Sequence, residues 1–370
     1  MIEESKLQVP GEFDVVGWKM PEIVGDWAMH DWADPDDERL VTLRNEFGLE
    51  SVIDGAQDDL QAILTLKRWV RSRWDHGWSM SYNTVTDALD ILREAERGEQ
   101  FNCGHYARVF IACATALGIP ARTVNLGLAG SSFPRGHDVG NVGHCVAEAW
   151  SNDLAAWVVI DCDLNVHYER DGRPLSALEV HDAWLAGESA QITPVQDEPA
   201  FVVPSGATVE VLAELMPECR GFDDATVALK FDRFGRHGAM DYYARLRING
   251  MEWLDPRCPP TFVRHFAPGP AVRYSAHVPD LYPTLNAVRI GAAPRWDDAG
   301  AALTITLEDC TPWFERYEAS IDGGPWELRE PSFDWPMREG VNRLEARAVN
   351  RRGRPGIVSA LQVAYARAIW

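Results

Sequence analysis

A cysteine opens what reads as a buried helix. The stretch Gln100-Phe101-Asn102-Cys103-Gly104-His105-Tyr106-Ala107 begins an apolar segment running from Cys103 to Leu117. In the first turn of a helix, backbone N–H groups without helical partners and the macrodipole create positive potential, which favours thiolate over thiol. A lone cysteine there is still more often a space-filling residue, because free cysteine is among the most buried residue types. Cys113, further along the same segment, keeps that bland reading.

A nucleophilic thiol needs a base within hydrogen-bond reach and a third group that orients the base. Two strand-like runs supply candidates. Gly143–Trp150 carries His144, Trp157–Cys162 carries Asp161, and Ser151-Asn152-Asp153-Leu154 lies between them. With Asn152-Asp153 as the central pair of a hairpin, His144 faces Asp161 directly across the ladder, with Cβ atoms roughly 4.5–5.5 Å apart. The carboxylate then accepts from one imidazole nitrogen and leaves the other aimed at sulfur. A slip of one residue would put the pair on opposite faces. Glu148 shares the face of His144, where it either pairs with Arg122 or is solvated, and a structural role is expected. His105 lies two residues past Cys103 and so points about 200° around the helix from it. Cys145 and Cys162 read as small buried hydrophobes. A zinc set of Cys103, His144 and Cys162 lacks ligand spacing, so neither a metal nor any other cofactor is expected.

Taken in order, Cys103-Gly104, Ala116-Leu117-Gly118-Ile119-Pro120-Ala121-Arg122, His144, Glu148, Trp157 and Asp161 resemble the transglutaminase-like superfamily, whose core the papain-like peptide N-glycanases share. The resemblance covers roughly residues 60 to 170. It implies Cys103 as nucleophile, His144 as general base and acid, and Asp161 as orienting acid. It also implies an upstream tryptophan whose indole N–H holds an oxyanion. Trp74, in Arg73-Trp74-Asp75, fits best, with Trp69 and Trp78 nearby. Trp78 and the loop residue His137 are candidate substrate contacts, and Asp138, Asn165 and His167 lie in or near loops around the site. Two departures weigh against cross-linking activity. Asn102 and Gly104 stand where the cross-linking enzymes have Gln and Trp, and Val146 replaces a strand Trp.

The elements that must hold these residues read as helices followed by strands. Asp34-Pro35 opens a helix through Leu40, Leu43 and Phe47 that stops at Gly48. A second follows Asp54, with Leu60, Ile63, Leu64, Trp69 and Val70 at helical spacing, and Thr86 caps a third that ends at Gly98. Ala121–Leu126 joins the two strand runs already named, and Pro174 starts a short helix closed by Gly187. A proline-containing linker spans 190–205. Beyond it the pattern is all-β. Asn249-Gly250 is a hairpin signal, and short strands recur from Ala301 onwards with Asp322-Gly323 and Glu339-Gly340 turns. The expected class is α+β, a papain-like transglutaminase core with C-terminal immunoglobulin- or fibronectin-like β domains. The expected divisions are an extension over 1–50 packing on the core, a catalytic domain over 51–195, a β-rich middle domain over 206–292 and a sandwich over 295–370.

Composition narrows the function classes. With 370 residues the chain is long enough for two or three domains, and 46% hydrophobic with 25% charged residues is ordinary for a globular protein. Thirty-five basic against 56 acidic residues leave a net charge of −21, which argues against nucleic acid or an anionic membrane surface as partner. The longest apolar run, Val109 to Ile119, is about half the roughly 20 residues a bilayer requires. The N-terminus carries no secretory signal pattern. Seven cysteines without a CxxC pair fit a reducing, cytoplasmic setting. The fifteen Trp are better explained by packing than by sugar stacking.

The expected function is cysteine-dependent acyl transfer at an amide bond through a thioester. The substrate is a peptide, protein or small amide, and hydrolysis of a peptidase or amidase type is favoured. Amine transfer to protein glutamine, N-glycanase-like deglycosylation and a non-catalytic binding scaffold are the alternatives.

Overall fold

The computed structural model describes residues 13–77, 84–127, 143–200, 243, 245–248, 251–253, 273–275, 277–297 and 300–366. It divides into two compact units, residues 29–281 and a second unit made of 1–28 with 282–370.

The first unit opens with helices whose starts are set by acidic caps. Helix α1 (Glu38–Glu46) is capped by Asp37, α3 (Asp59–Arg71) by Asp58 and α4 (Ala88–Glu96) by Asp87, each accepting from backbone N–H groups of the first turn. Thr86, the expected cap of α4, is one residue early. The short α2 (Leu49–Val52) lies between the first two. All pack around α5 (Cys103–Ala116), whose Val109, Phe110, Cys113 and Ala114 are fully buried. Nearly every face of α5 is apolar because helices cover one side and a sheet the other. Gly118, at φ +76°, turns the chain sharply out of the helix, and Pro120 keeps it out.

The sheet against α5 has the order β4-β3-β2-β8, built from β2 (Ala121–Gly127), β3 (Gly143–Ser151), β4 (Ala156–Ile160) and β8 (Arg245–Ile248). Beside it, β5 (Val166–Arg170), β6 (Arg173–Pro174) and β7 (Thr193–Gln196) form a small sheet of order β6-β5-β7. Helix α6 (Ala177–Leu185) starts on a capping box between Ser176 and Glu179. The parallel pair β9 (Met251–Trp253) and β10 (Arg273–Ser275) and the turn of helix α7 (Val278–Leu281) complete the unit. Residues 249–250 lie outside the described residues, and the strands on either side of them, β8 and β9, belong to different sheets.

The second unit is a sandwich. One sheet has the order β1-β17-β16-β13-β14, from β1 (Phe13–Lys19), β13 (Phe314–Ile321), β14 (Glu327–Arg329), β16 (Gly340–Asn350) and β17 (Ser359–Tyr365). The other is β11-β12-β15, from β11 (Val288–Asp297), β12 (Gly300–Asp309) and β15 (Ser332–Pro336). Their inner faces share one core containing Ile290, Ile305, Trp335, Leu344, Leu361 and Val363. The chain changes sheet between β12 and β13, between β14 and β15 and again before β16, the Greek-key habit of immunoglobulin- and fibronectin-like sandwiches.

Residues 13–19, part of the expected 1–50 extension, form β1, which pairs antiparallel with β17 and contributes Phe13 to the sandwich core. Most of 206–292 lies outside the described residues, β8 extends the central sheet of the first unit, and β11 belongs to the sandwich.

Candidate active site

Asn102 fixes the start of α5. Its extended backbone and its side-chain acceptance from Gly104 N at 3.1 Å make it the N-cap, a position for which Asn is strongly preferred. Cys103 is therefore the first residue of the helix, partly exposed, with a free thiol. The segment before it is strapped down by the carbonyl of Phe101. That oxygen accepts from the Trp74 indole N–H at 3.1 Å and from Gly77 N at 3.2 Å, and Phe101 bridges His76 in parallel. Trp74 also stacks on Tyr106, with ring centroids 4.2 Å apart. The indole N–H expected to face an oxyanion donates here to the backbone that leads to Cys103.

His144 stands near the start of β3 and is buried. Its Nε2 is 2.7 Å from Asp161 Oδ2. The Cys103 sulfur lies within 4.8 Å of a nitrogen of the same ring. Burial works against a charge on His144, yet the Asp161 carboxylate and the Cys103 sulfur more than reverse this and hold its pKa well above the ordinary imidazole value.

The route by which Asp161 reaches His144 differs from the expected one. The hairpin loop has four residues, since Ser151 pairs with Ala156, and Ala155 takes a positive φ of +47°. Glu148 therefore faces Val159 and Ala147 faces Ile160, a register shifted by two from the expected one. Because side chains alternate with period two, the shift keeps Asp161 on the face of His144. Asp161 reaches it diagonally rather than directly. It sits at the mouth of a tight turn closed by paired bonds with Val166, and its Oδ1 accepts from Leu164 N at 3.0 Å. Both carboxylate oxygens are thereby fixed.

That turn is held from below. Asn165 adopts a positive φ of +54°, and its carbonyl accepts from the buried Lys67 Nζ at 3.3 Å. Lys67 also pairs with Asp197 at 2.9 Å and touches His167 Nδ1 at 3.3 Å. Asn165 and His167 accordingly serve the scaffold of the turn. Burial, only partly offset by Asp197, pushes the Lys67 pKa down.

A second carboxylate–imidazole pair lies beside the first. Asp163 Oδ1 is 2.7 Å from His76 Nδ1, and both side chains are buried. Cys103 Sγ, a His144 ring nitrogen and an Asp163 oxygen all lie within 4.8 Å of one another. Burial opposes the charge on Asp163, but His76, followed by His144 and Arg71, holds its pKa below the usual carboxylate value. Sequence reasoning passed over both residues. The alternation Asp161-x-Asp163 was a usable signal, since residues two apart share a strand face, whereas nothing in the pattern around His76 marked it.

The remaining candidates separate cleanly. Glu148 is fully buried and clamps Arg122 through Oε2, at 3.0 Å from Nε and 2.8 Å from Nη2, while its Oε1 accepts from Ala177 N at 2.7 Å. Arg122 also lies over the Trp157 ring, 3.9 Å from its centroid. His105 is buried against Phe101, with Nδ1 3.2 Å from Asn102 Oδ1. Cys162 is buried in the helical core, where burial pushes its pKa well up, and Asp163 stands next to Cys103 and His144 in its place. Trp78, His137 and Asp138 lie outside the described residues. No helix among the described residues is long and apolar enough to cross a membrane.

A family model described as the transglutaminase-like superfamily matches residues 49–162, which hold Cys103, His144 and Asp161. No curated protein matches the chain. Solved structures that are similar to it include the following two. A candidate cysteine protease from Cytophaga hutchinsonii is 18% identical over 42% of this chain, with a TM-score of 0.26, and the match spans 47% of that protease's length. A transglutaminase from red sea bream is 14% identical, with a TM-score of 0.25, covering 100% of this chain and 79% of its own. The family match coincides with the helices and strands that bring sulfur, imidazole and carboxylate together. Over residues 49–162, then, the chain is similar to the transglutaminase-like superfamily.

Proposed function

We propose that the protein is a thiol-dependent amide hydrolase in which Cys103, His144 and Asp161 act together. The observation that carries this reading is the buried His144 ring, bonded to Asp161 on one nitrogen and with a ring nitrogen within 4.8 Å of the Cys103 sulfur. Asp161 occupies Nε2, so Nδ1 is the nitrogen that exchanges a proton with sulfur. The elevated His144 pKa favours an imidazolium before substrate arrives.

Attack of Cys103 Sγ on the amide carbonyl carbon gives a tetrahedral oxyanion. The Cys103 backbone N–H, in the first turn of α5, is the nearest main-chain donor for that oxygen. Collapse breaks the C–N bond while His144 delivers its proton to the departing nitrogen. His144, now neutral, takes a proton from water, the resulting hydroxyl adds to the thioester, and sulfur leaves as the carboxylic acid forms. Asp161 keeps the ring in one tautomer throughout. Peptides or proteins are the substrate class that the family favours.

Water is preferred to an amine as acceptor because Asn102 serves as a helix cap and Gly104 carries no side chain, where cross-linking relatives have Gln and Trp. The test is incubation with a glutamine-bearing peptide and a fluorescent amine. Ammonia release in excess of amine incorporation, lost in Cys103→Ala, is the expected outcome. Dominant incorporation of the amine would overturn hydrolysis while keeping the triad. If neither reaction occurs and iodoacetamide labels all thiols equally slowly at pH 6, the protein is a scaffold instead.

A further inference from the structure

Asp163 and His76 have no assigned part in that chemistry, yet an Asp163 oxygen lies within 4.8 Å of the Cys103 sulfur and of a His144 ring nitrogen, and His76 bonds that carboxylate. We propose that Cys103, His144 and Asp163 form a binding site for one thiophilic divalent cation, with Zn2+ the fitting ion, and that its occupation switches the thiol off. The cation site stands on geometry alone, and only the word "off" rests on the hydrolase reading above.

The donor set is a thiolate, an imidazole and a carboxylate. This is the mixture that suits zinc and disfavours calcium or magnesium, which take oxygen ligands. Tetrahedral zinc, with bonds of about 2.0–2.3 Å, separates its ligand atoms by roughly 3.3–3.6 Å. The three donors already lie within 4.8 Å of one another, so closure asks at most about 1.5 Å of side-chain movement, within reach of small torsional adjustments. Cys103 is partly exposed, which leaves a fourth position for water.

Orientation is the stronger part of the argument. Zinc-binding histidines characteristically give their second nitrogen to a carboxylate, and zinc-binding carboxylates are themselves hydrogen-bonded from behind. Both conditions are met here. Asp161 holds His144 Nε2 at 2.7 Å, which leaves Nδ1 as the nitrogen for the ion. His76 Nδ1 holds Asp163 Oδ1 at 2.7 Å, so Oδ2 is the oxygen to meet the ion. A plain catalytic triad calls for the first of these contacts and has no use for the second. Charge also balances, since one thiolate and one carboxylate neutralise a divalent cation in a site whose imidazole and carboxylate are buried.

The test uses the full chain. Cd2+ is titrated while the sulfur-to-metal charge-transfer absorbance is followed, and Zn2+ is then added in competition. In parallel, alkylation of Cys103 by iodoacetamide is mapped with and without Zn2+. One equivalent should bind, Zn2+ should displace Cd2+ and slow alkylation of Cys103 at least about tenfold, and the absorbance should vanish in Cys103→Ser. Asp163→Asn should weaken binding at least tenfold and His76→Gln by about 10-fold or more, with folding checked by circular dichroism. Cys310→Ser, a substitution in the sandwich, should bind as the parent does. An undiminished absorbance in Cys103→Ser, equal affinity in Asp163→Asn, or unchanged Cys103 alkylation at saturating Zn2+ would each overturn the site. Amide hydrolysis is assayed separately in chelator. Its absence there, with metal binding intact, would sink the hydrolase reading and leave the cation site standing.

Discussion

Two cysteines on one helix make opposite use of the same side chain. Cys103 occupies the first position of α5, partly exposed, beside a histidine held by a carboxylate. Cys113 lies deeper in the same helix, fully buried among Leu, Ile, Val and Phe, where desolvation alone lifts its pKa far beyond the neutral range. Residue type and secondary structure are identical for the two, so what sets them apart is their neighbours. A thiol becomes a reagent where helix end, imidazole and solvent meet, and it is filling where they do not.

The largest test of this contrast is replacement of each thiol by Ala. Cys103→Ala should reduce amide turnover by at least about 10⁴-fold with little change in Tm. Cys113→Ala should leave turnover nearly intact and lower stability by about 1 kcal/mol through the lost packing. Equal losses of turnover in both would erase the distinction.

Asp161→Asn comes next. It keeps the shape of the turn but removes the charge that steadies the imidazolium, and turnover should fall about 10³–10⁴-fold. Labelling of Cys103 at pH 6 should slow as well, while Cys113 stays unreactive.

Glu148→Ala should destabilise the first unit by about 3–5 kcal/mol in denaturant unfolding, because Arg122 would be left buried without its partner. It separates scaffold from chemistry, since any activity lost should return on cooling or on adding osmolyte.

The pH dependence is subtler. A folded-state pKa raised above the unfolded value means that His144 contributes stability fully below about pH 6.5 and loses it as pH climbs through the folded value. The Tm should therefore decline on the alkaline side, and the decline should flatten in His144→Gln.

Trp74→Phe is the smallest. Losing the bond to Phe101 O should cost about 1 kcal/mol of stability and under tenfold in turnover. A fall of 10²–10³-fold would restore the indole to the role of oxyanion donor.

The contrast between the two cysteines was largely readable from the chain. Helix-start position, the Gly118 and Pro120 stop, and the apolar run around Cys113 are local features, and the structure keeps all of them. The His144–Asp161 contact was legible for a more forgiving reason, because the loop proved longer than expected and period-two alternation absorbed the shift. Three things were not legible. The destination of Trp74's N–H depends on which carbonyl lies nearest, and Phe101 lies far from it along the chain. His76 meets Asp163 only after α3 and the β4–β5 turn have packed. The pairing of β1 with β17 joins segments from nearly opposite ends of the chain, and no local pattern encodes that.

That last pairing carries a consequence for biosynthesis. Strand β1 leaves the ribosome before all of residues 29–281, whereas β17, its neighbour in the sheet, is made after them. The sandwich therefore completes late, with its first strand waiting as an unclaimed edge while the thiol-bearing unit is already able to collapse on local contacts. A nascent chain stalled before β17 should show protease-resistant helices α3 and α5 and a clippable β1, the order in which the ribosome would release a folded cysteine centre ahead of the sandwich.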